Sequence, residues 1–190
     1  MTDFKATGKT VIGLTGSIAS GKSAAAGMFK KLGAQVICAD ELSAKHFKIL
    51  LPQIQAYFGT KDRQKIAAAV FADAAKRLWL EKLLHPAVLA EAAKVIKESQ
   101  NKIIVFDVPL LFENNLQESF DLTVCVSAPY QTRLNRALAK GLSEGDFKNR
   151  DASQMPQEEK IKKASFAFEN NSSTEDLEVK ITKFYSGLIK

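Results

Sequence analysis

The run Gly16-Ser17-Ile18-Ala19-Ser20-Gly21-Lys22-Ser23 carries two glycines with four residues between them, followed at once by a lysine and a hydroxyl. This is the G-x-x-x-x-G-K-[ST] spacing of a phosphate-binding loop, expected by chance in a chain of this length on the order of 1% of the time. Successive backbone N–H groups and a helix N-terminus would point inward at phosphate oxygens. Lys22 would reach the terminal phosphates, and the Ser23 hydroxyl would face a magnesium ion. The candidate nucleotide-binding residues are therefore Gly16, Ser17, Ile18, Ala19, Ser20, Gly21, Lys22, Ser23 and Ala24. Gly16 and Gly21 hold the positions where a β-carbon is disfavoured. Ser17 and Ala19 stand where many small-molecule kinases have glycine, but their N–H groups serve whatever the side chain, so the cradle is expected to persist.

Two carboxylates fall where they could act on a nucleotide held by that loop. Asp40 follows the apolar run Ala34 to Ala39 and Asp107 ends the run Lys102 to Val108, and ligands of open α/β sheets sit beyond the carboxyl ends of strands. Asp40 there would accept or orient the proton of an attacking hydroxyl; alternatively it caps the next helix, with Glu41 in its first turn. Asp107 is a second candidate for the magnesium shell, directly or through water. A GTPase would also need a base-reading N-K-x-D segment, and none is present.

The elements that must position these groups follow from the hydrophobic pattern. Strands are predicted at Thr10 to Thr15, Ala34 to Ala39, Lys102 to Val108 and Leu122 to Val126, with a brief apolar element at Phe166 to Phe168. Helices are predicted at Lys22 to Leu32, at Tyr130 to Ala139, around Ser143 to Arg150 and Pro156 to Lys163, and at Ser173 to Leu188. From Asp40 to Gln100 the pattern is helical, with breaks near Pro52, Gly59 and Pro86. Apolar strands alternating with helices imply an α/β fold, a parallel sheet with helices on both faces.

Composition bounds the partners. The net charge of +6 allows nucleic acid or a polyanionic small molecule. The basic side chains concentrate between Arg133 and Lys163, where only Tyr130 and Phe147 lie in or near the stretch; a base-stacking platform is poorly supported and no nucleic-acid partner is expected. A solvated helical surface is the other reading of that mixed stretch. The apolar runs are far short of a membrane span, and no signal-peptide pattern opens the chain, so a cytoplasmic location without membrane attachment is expected. Cys38 and Cys125 lie in strand-like runs without ligand-spaced neighbours and read as reduced core residues.

Seven segments in order then resemble the dephospho-coenzyme A kinase family of P-loop kinases: IGLTGSIASGKS, LGAQVICAD, VFAD, LHP, DVPLLFEN, GLSEGDF and QMPQEEK. The resemblance implies a P-loop NTPase-like fold with a helical acceptor-binding insertion and a helical lid. It implies a core of about 9–40, 101–139 and 164–190, an acceptor subdomain of about 41–100 and a lid of about 140–163. It further implies transfer of the ATP γ-phosphate to the ribose 3′-hydroxyl of dephospho-CoA, with Mg2+ as cofactor. Asp40 looks like the family's acid-base residue, with Lys22 and Arg136 as catalytic companions. Arg136 and Arg150 would close on the phosphates, and Asn170 would lie near the adenine. Arg63, His85, Pro109, Leu110, Leu111 and Glu113 would receive the acceptor, Asp40 among them.

The departures are local. Cys38 replaces the first aspartate of the family's D-A-D segment, Ala44 and then Lys45 stand where an arginine is usual, and Lys140 replaces a lid arginine. A P-loop kinase for another small acceptor and a non-catalytic nucleotide-binding relative are the alternatives these departures keep open.

Overall fold

The computed structural model describes residues 3–171 and 173–189. The central strand β1 spans Thr10–Gly16, and its side chains alternate as a pleated strand requires. Ile12 and Leu14 enter the apolar layer on one side of the sheet, and Val11 enters the layer on the other. With β2 (Gln35–Cys38), β3 (Ile103–Asp107), β4 (Leu122–Ser127) and β5 (Phe166–Glu169), it forms one parallel sheet of order β2-β3-β1-β4-β5. Leu14 and Cys38 both lie level with Asp107, and Gly16 lies level with Val126, so the carboxyl ends of β1 to β4 form one edge. The phosphate loop, Asp40 and Asp107 were expected at that edge.

Helices cover both faces. On one, α1 (Lys22–Lys31) and α9 (Thr174–Leu188) press Phe29, Leu177 and Ile181 onto Ile12, Val105 and Val124. The Ser173 hydroxyl caps α9 by accepting from the Asp176 N–H at 3.2 Å. On the other face, Phe4, Phe112 and Phe120 pack with Ala92 and Ile96 against Val11, Ile104 and Phe106. Gly13 is required there by close approach: a β-carbon would stand 2.6 Å from Leu111 Cδ1.

Between β2 and β3 lies a run of four helices, α2 (Ala39–Ile49), α3 (Leu51–Phe58), α4 (Arg63–Ala72) and α5 (Ala74–Glu98). They share a small core of their own around Phe47, Ile54, Ile66 and Leu84. The expected break near Pro52 falls between α2 and α3, and Gly59 ends α3 in the left-handed region at φ 70°. Pro86 was expected to break the helical run, yet α5 continues through it. Pro86 sits on the exposed face of the helix. Leu84 and Val88 on the buried face anchor α5 on either side, offsetting the ~3 kcal/mol cost of an interior proline. The break instead falls at Asp73, whose carboxylate accepts from the Ala75 and Lys76 N–H groups; these bonds hold it below the usual carboxylate range.

After β4 come α6 (Tyr130–Ala139), α7 (Glu144–Ala152) and α8 (Gln157–Lys163). The basic stretch is not uniformly a solvated face, because Arg133 and Lys160 are buried, at 5% and 0% exposure. Among the described residues no helix is long and apolar enough to cross a membrane. Cys125 is buried, and burial pushes its thiol up to about 11, whereas Cys38 is half-buried at the end of β2. Titration with an aromatic disulfide at pH 8 should therefore find one rapidly reacting thiol in the native protein and both after denaturation. Two fast native thiols would contradict this packing.

Candidate active site

The loop leaves β1 at Gly16 and enters α1 at Lys22, so its amides gather at the helix N-terminus. Gly16 has no room for a side chain: a β-carbon would meet the Val126 carbonyl oxygen at 2.5 Å and Ser20 Oγ at 2.6 Å. Gly21 combines a φ of 103° with a β-carbon position 2.0 Å from Asn170 Nδ2. Ala19 is also left-handed, at φ 58°. The turn forms with alanine at this position, at a conformational cost of about 1 kcal/mol. Ala19→Gly should be neutral or stabilise the protein by up to about 1 kcal/mol, while Gly21→Ala should cost at least about 2 kcal/mol. Thermal denaturation of the pair checks this, and equal melting temperatures would overturn it.

A cleft of about 1100 Å³ opens over the loop. Every residue from Gly16 to Ala24 lines it, facing Asp40, His85, Pro109, Leu110, Glu113, Arg136 and Arg150. Asp40 is exposed and stands in the first turn of α2 rather than at the end of β2. The N-cap position before that helix is held by Cys38 and no side chain caps it, so the capping role for Asp40 is not observed. A second cavity of about 290 Å³ adjoins the cleft, sharing Asp40, His85 and Leu110 and floored by Phe106 and Val108.

Lys22 Nζ is paired with the buried Asp107 carboxylate. Burial raises the Asp107 pKa, Lys22 opposes that rise, and the nearby charge of Asp40 adds to it. The Ser23 hydroxyl lines the cleft, and the Asp107 carboxylate does not line it but is joined to the loop through Lys22. One hydroxyl, one carboxylate and phosphate oxygens make a donor set that suits magnesium, which binds through few protein groups.

Arg136 donates from Nη1 to the Ser20 carbonyl at 3.3 Å and from Nη2 to the Asn170 carbonyl and side-chain oxygens at 3.1 and 3.3 Å. Asn170 is itself buried and donates from Nδ2 to the same Ser20 carbonyl at 2.8 Å. It therefore braces the loop from behind and does not line the cleft. Two expected acceptor residues fall elsewhere. Arg63 begins α4 with its guanidinium 4.8 Å above the ring of Phe47, outside the cleft; the cation lies over the ring of a residue of the small helical core and stays exposed to solvent on its other side. Leu111 is wholly buried against Gly13 and the Phe120 layer, while its neighbour Leu110 faces the cleft. Lys45 pairs with Glu91 and does not enter the cleft in place of the missing arginine.

The residues not anticipated are Arg77, Glu81, Asn114, Ser153 and Gln154, all lining the cleft, where Lys140 joins them. Arg77, Glu81 and His85 recur every four residues on α5, so the helical period could have placed them on one face. Gln154 opens the QMPQEEK segment, but no helical period pointed it at the cleft.

A five-stranded parallel sheet with a phosphate loop on its central strand, a carboxylate across the cleft and a basic helical cover defines a P-loop kinase. A family model described as dephospho-CoA kinase matches residues 10–176. A protein of that description from Aquifex aeolicus is 35% identical over 191 residues, covering 94% of this chain and 97% of its own. A solved structure from Thermus thermophilus superposes with a TM-score of 0.87 at 32% identity, covering 95% of this chain and 98% of that one. Dephospho-CoA kinase from Campylobacter jejuni superposes at 0.71 with 27% identity, covering 94% and 96%. The chain belongs to the dephospho-CoA kinase family.

Proposed function

We propose that this protein transfers the γ-phosphate of ATP to the ribose 3′-hydroxyl of dephospho-CoA, giving CoA and ADP in the cytoplasm. The observation that carries the reading is the carboxylate of Asp40 opening into the same cleft as the Gly16 to Ser23 loop. Asp40 takes the proton of the 3′-hydroxyl as that oxygen bonds to the γ-phosphorus, and the bond to the β-phosphate oxygen breaks to release ADP. Loop amides and Lys22 hold the phosphate charge, and Lys22 leaves Asp107 to do so. Arg136 and Arg150 approach from the cover and help exclude water.

Ser23 and Asp107 would hold Mg2+, which when bound neutralises charge on the β- and γ-phosphate oxygens. His85, Pro109, Leu110 and Glu113 line the acceptor side, and the adjoining apolar cavity gives that side additional room. Helices α2 to α5 form the acceptor subdomain and residues of about 140–163 the lid.

The test is ADP release from ATP and Mg2+ with dephospho-CoA, set beside a panel of nucleosides and nucleotides. Release confined to another acceptor would reject the reading. No release with any acceptor would favour a binding protein.

A further inference from the structure

The segment Gln154-Met155-Pro156-Gln157-Glu158-Glu159-Lys160 carries side chains able to hydrogen-bond at every third position. Gln157 and Lys160 share one face of α8, and Gln154 precedes the turn at Pro156 that starts it. Each of the three reaches the carboxyl end of a different strand. Gln154 Oε1 accepts from the Ile18 N–H of the phosphate loop, just beyond β1, at 2.9 Å. Gln157 Oε1 accepts from the Ala128 N–H, just beyond β4, at 3.1 Å. Lys160 Nζ donates to the Pro109 carbonyl, just beyond β3, at 3.0 Å and pairs with Glu113 at 2.9 Å.

Lys160 has no exposure to solvent, and among the described residues its ammonium is held by Pro109 and Glu113. Its two partners, Pro109 and Glu113, both lie in the turn that runs over 109–115, so Lys160 fixes the spacing between them. Glu113 Oε1 also accepts from the Met155 N–H at 2.8 Å, tying the same turn to the start of the segment. At the other end, Arg133 donates to the Ile18 carbonyl at 3.5 Å and pairs with Asp151, so Ile18 is gripped on both its backbone groups from the cover side.

We infer that residues Gln154 to Lys160 form a strap across the carboxyl edge of the sheet, in which Gln154 positions the phosphate loop and Lys160 positions the acceptor wall. Neither side chain needs to touch a reacting atom. Gln154 sets the direction of one loop amide and Lys160 sets the spacing of Pro109 and Glu113, so each governs one substrate. Because the strap follows α7 directly, the same segment joins the cover to both walls. The Lys160 half rests on the proposed acceptor; the Gln154 half requires only nucleotide binding.

The experiment measures binding of a non-hydrolysable ATP analogue and, separately, of dephospho-CoA by calorimetry, with melting temperatures and initial rates, for wild type, Gln154→Leu and Lys160→Met. Gln154→Leu should weaken nucleotide binding by about 3- to 10-fold, one hydrogen bond's worth, and leave dephospho-CoA within about twofold. Lys160→Met should weaken dephospho-CoA at least about 10-fold and leave the nucleotide within about twofold.

Lys160→Met strands a carboxylate and threatens folding, so the double variant Lys160→Met/Glu113→Gln and Glu113→Gln alone complete the set. The double variant should regain melting temperature without regaining dephospho-CoA affinity, and its loss of affinity should be less than the product of the single losses. Both affinities falling together, or melting temperature alone falling, would overturn the strap. A wild type that binds nucleotide but not dephospho-CoA would instead overturn the proposed reaction and the Lys160 half, with the Gln154 half still decided by its nucleotide arm.

Discussion

Asp40→Asn should lower turnover by at least about 100-fold while leaving the affinity for ATP within about twofold. The substitution keeps the size of the side chain and its place in the first turn of α2, and removes only its capacity to take a proton. Asp40 is exposed to the cleft and forms no helix cap, so the change should not unfold the helix. ADP release at saturating substrates, with nucleotide affinity measured separately, distinguishes lost chemistry from lost binding. A rate near wild type would move the proton transfer to another group. The neighbouring Asp107 cannot take over easily, since it is buried and already engaged by Lys22.

Lys22→Ala should reduce the use of ATP by on the order of 100- to 1000-fold, the usual effect of deleting one preorganised charge-stabilising group. It also leaves the buried Asp107 without its cation, which produces a second, pH-dependent signature. Asp107 already has a raised pKa in the folded protein, because burial outweighs the opposing pull of Lys22. A carboxyl raised on folding contributes stability that is fully present below its unfolded pKa and is lost as pH rises through the folded one.

Removing Lys22 raises the folded value further, so the variant should lose more stability at pH 8 than at pH 5, measured by thermal denaturation without nucleotide. The double variant Lys22→Ala/Asp107→Asn should remove that pH dependence while remaining inactive. Normal kinetics for Lys22→Ala would sink the assignment of the loop. A pH-independent loss of stability would sink the account of Asp107.

The phosphate loop was readable because its chemistry is contiguous: fixed spacing delivers backbone amides, a lysine and a hydroxyl whatever surrounds them. The strand runs were readable for a similar reason, since a short continuous apolar run such as Thr10–Gly16 is what a strand covered on both faces requires. Local pattern failed where the outcome depended on what lay opposite. Pro86 carried a breaking signal that the packing of Leu84 and Val88 outweighed, and Leu110 and Leu111 were indistinguishable until one met Gly13 and the other met the cleft. Arg63 went to an aromatic face the sequence does not place beside it.

By itself, then, the sequence determined that this chain holds a nucleotide on a parallel sheet and which family it resembles, because those properties lie in short, periodic or contiguous runs. Only the tertiary structure decided the strand order, the brace of Asn170 behind the loop and the burial of Lys160 against Glu113. The reason is physical: Lys160 meets Pro109 across 51 residues of chain, and a contact at that separation is chosen by the packing of the whole fold, not by any local preference of lysine.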